Sequence, residues 1–163
     1  TSGGVSVGDH DLIQPVLDER GWNREFWKVA MKPGKPVLCG TLKSGSIFLG
    51  LPGNPASTMV SFELFGRPLL RALQGHPRPY RCQRRIPLAS DYSKKPGRLH
   101  VVRGFYKDGK FQPIDMQGSG MLRSMVGISA FGFLPSEAEF IAAGTPIMTL
   151  DLRHDGGEDF SLV

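Results

Sequence analysis

The sequence predicts an α/β segment followed by a small all-β barrel, and three observations carry that expectation. Up to about His76, apolar runs of strand length alternate with stretches of helical spacing, the order of elements in layered α/β domains. From Arg78 onward, short strand patterns succeed one another with no convincing long helix, which suits a small barrel or sandwich. The 21 glycines and 13 prolines among 163 residues supply the turns that many short elements need. The expected division is residues 1–76, residues 77–154, and a frayed, acidic, glycine-rich tail at 155–163.

Taken in order, the stretch from Thr1 to Asp11 (T-S-G-G-V-S-V-G-D-H-D) is a glycine-rich loop. Such loops usually leave the end of a buried strand, so the expectation is a chain that opens inside a domain. The loop carries neither the Gly-Lys-Ser/Thr of a Walker A motif nor a dinucleotide G-x-G-x-x-G. Asp11 is a plausible N-cap for a helix over Leu12 to Arg20, with Leu12, Ile13, Val16 and Leu17 at helical spacing and Gly21 as the stop. Glu25 to Lys32 reads as one strand ending at Pro33-Gly34. Alternation then puts Lys28 and Lys32 on one face, about 13 Å apart at ~3.3 Å per residue. That span suits the two ends of an elongated ligand, and equally a solvated strand edge. Pro33-Gly34-Lys35-Pro36 holds Lys35 in a rigid turn. Val37 to Leu42 and Ser46 to Leu51 read as a hairpin over Lys43-Ser44-Gly45.

Leu51-Pro52-Gly53-Asn54-Pro55-Ala56-Ser57 carries that second strand into a helix. Asn54 is a good N-cap, Pro55 sits where a helix tolerates proline, and Gly53 lets the backbone approach a ligand. The free amides of such a turn suit an anion, although a plain strand-to-helix turn has the same letters. The helix is expected from Pro55 to about Leu73, with a broad apolar face including Met59, Val60, Phe62, Leu64 and Phe65, and a kink at Pro68. Arg78 to Arg85 is basic and reads as a connector or edge strand; a nucleic-acid stripe would need aromatic platforms it lacks. Further strands are expected at Arg85 to Ala89, Leu99 to Tyr106, Phe111 to Met116 and Thr145 to Leu152. Asp108-Gly109 is a hairpin turn, and Met121 to Val126 with Phe131 to Leu134 is one short helical or irregular piece.

The net charge of +5 is a mild excess that favours small anions and does not announce nucleic acid. No apolar run approaches the ~20 residues of a membrane span, and no secretory leader is evident. Cys39 and Cys82 lack metal-ligand spacing, so reduced thiols in a cytoplasmic protein are expected. The four histidines are scattered and form no ligand set.

The glycine loop, then W-K-V-A-M-K-P-G-K-P from Trp27 to Pro36, then G-L-P-G-N-P-A-S from Gly50 to Ser57 stand in an order that resembles the molybdopterin molybdenumtransferase family. That family includes the bacterial MoeA type and the gephyrin E domain. R-P-L-L-R-A-L-Q-G from Arg67 to Gly75 is similar to it too. The resemblance implies the latter part of a three-layer, MoaB/Mog-like α/β domain followed by a β-barrel. It also implies a homodimer with its site between domains. The implied activity is insertion of molybdate into adenylylated molybdopterin, with release of AMP and with Mg(2+) as cofactor; an upstream adenylyltransferase is an implied partner.

Carried onto this sequence, the resemblance implies a pterin-nucleotide and metal site at Gly3, Gly4, Ser6 and Asp11, with Asp11 the metal ligand. It implies phosphate and molybdate contacts at Lys28, Lys32, Lys35 and Pro36, and a phosphate-contacting loop at Gly53 and Asn54. Arg103 and Ser119 are the candidate barrel contacts to the oxyanion, with Ser124 a competing choice; His10 has no assigned role. The chemistry agrees, because a dianionic oxyanion is best held by fixed cations, hydroxyls and backbone amides. Two other readings stay open: an adenylyltransferase-like domain, against which the P-G-K-P segment and the barrel argue, and a non-catalytic scaffold of gephyrin type.

Overall fold

The computed structural model describes residues 1–6 and 11–155. The first helix, Ile13–Glu19 (α1), is shorter than expected and buries Leu17. Asp11 is not at its cap position. Leu12 takes that position with helical dihedrals and no side-chain cap bond of its own, so the helix starts two residues past the aspartate. Leu17 packs with Val5 and Leu38 in a small core to which Ile13, Trp22, Trp27, Leu42 and Phe48 add.

The single strand expected over Glu25 to Lys32 is two strands, Trp22–Trp27 (β1) and Met31–Lys32 (β2). Lys28 breaks them apart with a φ of 69°. Its amide donates to Val37 O (3.0 Å), and that of Val29 donates to Lys35 O (2.8 Å), so the chain turns at Lys28 and stays fastened. β1 joins Leu38–Leu42 (β3) and Ile47–Gly50 (β4) in an antiparallel sheet in the order β1-β3-β4. β2 leaves it for another sheet, so Lys28 and Lys32 do not share a strand face.

The long helix forms as three consecutive pieces, Pro55–Ser61 (α2), a π turn at Phe62–Gly66, and Arg67–Leu73 (α3). The break expected at Pro68 is taken up by this π turn just before it. Proline has no N–H for the carbonyl one turn back and its ring crowds it; a widened turn relieves both. Val60 is fully buried against Val101, Phe131 and Leu150, which fixes α2 against the second half of the chain. Met59, Phe62, Leu70 and Leu73 of the same helical run stay exposed.

The second half contains Arg81–Pro87 (β5), Tyr92–Ser93 (β6), Leu99–Lys107 (β7), Lys110–Pro113 (β8), Ala130–Leu134 (β9), Phe140–Ile141 (β10) and Pro146–Asp155 (β11). The large sheet runs β2-β7-β9-β11-β5, with β8 also on β7. Leu88 bridges Phe111, and the Ala89 amide donates to Phe111 O at 2.9 Å, which brings the β5 end round to β8 and closes a barrel. Leu88, Val102, Phe111, Ala130, Leu134, Ile141 and Ile147 fill it. β6 and β10 pair as a separate ribbon.

One expectation narrows here, one changes, and one pairing is new. Of the two readings of residues 81–85, connector or edge strand, the second holds: they are the paired start of β5 at the edge of the sheet, with Arg81 against Glu63 (2.5 Å) and Arg84 near Asp151 (3.9 Å). Residues 131–134 are a central barrel strand, because Gly132 breaks the apolar alternation without breaking the ladder. β2 pairs in parallel with β7 at Met31–Leu99 and Lys32–His100, so the sheet of the second half recruits a strand from the first. β11 extends to Asp155, and the rest of the expected tail lies outside the described residues, as do Val7 to His10 of the glycine loop. Among the described residues no helix is long and apolar enough to cross a membrane.

Candidate functional site

The opening loop lies along the end of β4. The Leu51 amide donates to Thr1 O and the Gly3 amide to Leu51 O, both at 2.9 Å. Gly3 has a φ of 85°, and a side chain built on Gly53 would come within 3.4 Å of Gly3 Cα. Two glycine backbones therefore meet with no side chain between them, a floor a phosphate can approach closely. Gly4 also needs its freedom, with a φ of 70° and room for no Cβ against Ile13. Ser6 is exposed and Asp11 partly buried.

Asn54 occupies the cap position of α2 but makes no side-chain cap bond. Its Nδ2 instead reaches Ser119 Oγ at 3.4 Å, while the Ser57 amide donates to Ser119 O at 3.3 Å. A barrel loop thus does the capping expected of Asn54 and takes one of the amides expected to be open to an anion. Thr58 Oγ1 donates to Pro52 O (2.5 Å) and Asn54 O (3.0 Å), holding the Pro-Gly-Asn-Pro turn from below.

Two devices fix the loop that ends in Ser119. Gln117 mimics a strand, accepting from the Arg103 amide (3.0 Å) and donating to Arg103 O (2.9 Å) and Ile114 O (2.8 Å). Arg103 is fully buried, and its Nη2 donates to Met116 O (3.1 Å) and Gly118 O (3.3 Å). Burial pushes its pKa down and Tyr92 partly offsets this. Its Nε and Nη1 have no hydrogen-bond partner. Arg103 therefore presents no exposed surface to an oxyanion here and acts on the site by holding the 116–118 backbone. Ser124 is buried too, its hydroxyl turned to Met121 O, so of the competing serines only Ser119 is partly open.

Lys32 opens into a cavity of about 470 Å³ together with Tyr92, Lys94, Lys95, His100 and Gln117. Its lining residues include no carboxylate. Burial, then the charges of Lys94, Lys32 and Arg98, push the His100 pKa down to about 4. Lys94 Nζ lies near the carbonyls of Lys95 (3.5 Å), Arg98 (3.4 Å) and Ser136 (3.2 Å), which makes it a tethered charge.

The structure thus gathers Gly3, Gly53, Asn54 and Ser119, and connects them through Gln117 to the cavity of Lys32. Lys28 is elsewhere: its Nζ stands 3.7 Å over the Trp27 ring, whose Nε1 donates to Val5 O (3.0 Å) and ties the glycine loop to β1. Lys35 is exposed in its turn, its carbonyl accepting from Val29 and Val37, and Pro36 is partly buried. No motif in the sequence marks Tyr92, Lys94, Lys95 and His100. The signal was the basic run Lys94-Lys95-Pro96-Gly97-Arg98 beside His100, which has no motif spacing.

Residues 1–72 match the family model described as a probable molybdopterin binding domain, and residues 85–152 match the MoeA C-terminal region, domain IV. The molybdopterin molybdenumtransferase of Haemophilus influenzae is 38% identical over 160 residues, covering 94% of this chain and 39% of that protein. The molybdenum cofactor synthesis protein cinnamon of Drosophila melanogaster is 43% identical over 164 residues, covering 94% of this chain and 27% of that protein. A crystal structure of the molybdopterin biosynthesis MoeA protein of Pyrococcus horikoshii superposes with a TM-score of 0.71 at 28% identity, over 93% of this chain and 36% of that one. The chain spans about two fifths of the length of the bacterial relatives it matches. Its two matched regions, in this order and on this fold, place the chain in the molybdopterin molybdenumtransferase family.

Proposed function

We propose that this chain supplies the phosphate- and oxyanion-binding part of a molybdopterin molybdenumtransferase, which inserts molybdate into adenylylated molybdopterin and releases AMP. The observation that supports it most is the joining of two anion-suited surfaces by one loop. Ser119 meets Asn54 and the Ser57 amide, just past Gly53 of the glycine floor, and Gln117, in the same loop, lines the basic cavity of Lys32. Fixed cations and backbone donors are what such chemistry needs, since transfer at phosphorus depends on positioning and charge neutralisation more than on a protein nucleophile.

In this reading Gly3, Gly4, Ser6, Gly53 and Asn54 hold the phosphates of the pterin nucleotide. Lys32 and Lys35 neutralise the incoming molybdate, with Ser119 Oγ as a neutral donor and Pro36 fixing the turn. Lys28 serves the glycine-loop side through its seat on Trp27. Arg103 contributes as a positioning residue. Its two unpartnered buried donors are those an anion would satisfy if the 116–119 loop opened.

Asp11 is the proposed ligand for Mg(2+). Among the described residues no three His, Cys, Asp or Glu side chains gather around a common point. Magnesium needs no such set, since it is commonly held by one or two carboxylates with substrate phosphates and waters. When bound, the ion would neutralise phosphate charge. Asp11→Ala is then expected to abolish AMP release while leaving the fold intact, and unchanged turnover would remove Asp11 from the site.

The complete protein is proposed to act as a homodimer, and the exposed Met59, Phe62, Leu70 and Leu73 offer apolar surface for such an association. The test of the function is molybdate-dependent AMP release from adenylylated molybdopterin by the full-length protein. Release that ignores molybdate would overturn the reading.

A further inference from the structure

The barrel carries a cationic cavity larger than Lys32 alone would make. β2 and β7 lie side by side at its floor, so Lys32 and His100 are register partners. Tyr92, Ser93, Lys94 and Lys95, from β6 and the residues after it, form the wall. We propose that this wall is a second anion subsite, in which Lys95, Lys32 and His100 take a tetrahedral dianion or a phosphate monoester beside the glycine floor. Lys94 supplies a tethered charge from behind. The proposal rests on the transferase reading, which already gives the oxyanion Lys32 and this cavity, and adds Lys95 and His100 as partners.

Three features of the site favour a dianion over other ligands. The cavity holds about 470 Å³, enough for a phosphate-sized group with part of its carrier, and its lining residues include lysines but no carboxylate. Tyr92 and Ser93 add hydroxyl donors at the wall, and Gln117 is fastened to the barrel backbone, so the lining is preorganised on this side. His100 faces Lys32 from β2, Lys94 from the wall and Arg98 from the start of its own strand. Burial, and then these cations, keep the imidazole neutral. An anion placed among them offsets the repulsion and adds its own attraction against the cost of burial, which favours the imidazole as a third charged donor.

The sign of the resulting pH dependence is fixed. His100 has its pKa pushed down to about 4, so it is neutral without ligand at pH 5 and above. The anion prefers the protonated ring, binding raises the pKa, and affinity must increase as pH falls. If the bound value reaches about 6, linkage makes the anion bind about tenfold tighter at pH 5 than at pH 7.

The test uses sulfate, which remains a dianion across that range, with AMP as the phosphate-monoester probe. Binding is measured by calorimetry, and the His100 ring by NMR titration. Sulfate that raises the His100 pKa and binds about tenfold tighter at pH 5 supports a free-oxyanion subsite. A rise in the His100 pKa with AMP but not with sulfate, read by NMR because the AMP phosphate itself titrates near pH ~6, supports a subsite for the phosphate of a nucleotide. His100→Gln should retain binding at pH 7 and lose the gain at pH 5, and Lys95→Ala should weaken binding at both.

No response of His100 to either anion overturns the proposal, as does a response that survives in Lys32→Ala/Lys95→Ala. Loss of AMP release with the His100 response intact would count against the transferase reading alone.

Discussion

Phe111→Ala is expected to destabilise the protein by about 3–5 kcal/mol, the cost of emptying a buried aromatic site. Phe111 has no exposed surface and stands at the middle of the barrel core with Leu88, Val102, Ala130, Leu134, Ile141 and Ile147. The barrel is built around its ring. Gly104 and Gly132 face it, and a Cβ on either would come within 2.6 Å of a ring carbon. Neighbours that have no side chains cannot lean into the vacancy, so the cavity should persist and the cost fall toward the upper end. Phe111 also holds the seam, since its carbonyl accepts from Ala89 and its residue bridges Leu88. Urea unfolding of Phe111→Ala should show a lowered midpoint in one transition, because Val60 of α2 packs with Val101, Phe131 and Leu150 and joins the helix to the barrel. A shift below about 1 kcal/mol would show that the barrel does not depend on this ring.

The two halves were legible because each rests on a period that the chain itself displays. The α2–α3 run, the β3–β4 hairpin and the β7–β8 hairpin at Asp108-Gly109 follow from spacing and turn residues alone. What stayed hidden depends on contacts distant in sequence. Nothing in Glu25 to Lys32 announces that Lys28 turns the chain and sends Met31 and Lys32 to pair with Leu99 and His100. β9 does not show in the sequence because Gly132, there to admit Phe111, erases the alternation that marks a strand. The same holds at the site. Gly3, Gly53, Asn54 and Lys32 were visible as motifs, but Asn54 was read as a cap when Ser119 supplies that bond from 65 residues away in the chain. Arg103 was chosen for its charge, and its burial could not be inferred from an alternating strand whose other face is also covered.

Gly34→Ala should harm both stability and anion handling, and the two effects share one cause. Gly34 has a φ of 97°, a conformation that L side chains rarely adopt. A Cβ there would lie 2.4 Å from Met31 Cε and 2.5 Å from Ser61 Oγ. Both neighbours are buried, Met31 at 2% exposure and Ser61 at 0%, so neither can swing away. Left-handed strain and overpacking together give an expected cost of about 2–4 kcal/mol. Relief would come from lifting the Pro33-Gly34-Lys35-Pro36 turn off α2, which moves Lys35 and pulls on Lys32 at the mouth of the cavity. The stability loss is read from urea or thermal unfolding, and the functional loss from the molybdate dependence of AMP release in the full-length protein. Lys35→Ala separates the two, because an exposed side chain can be removed with little change in stability while molybdate use falls. If Gly34→Ala unfolds more easily yet keeps a normal molybdate dependence, the turn is only a packing element, and the oxyanion must be held by Lys32 and the barrel without it.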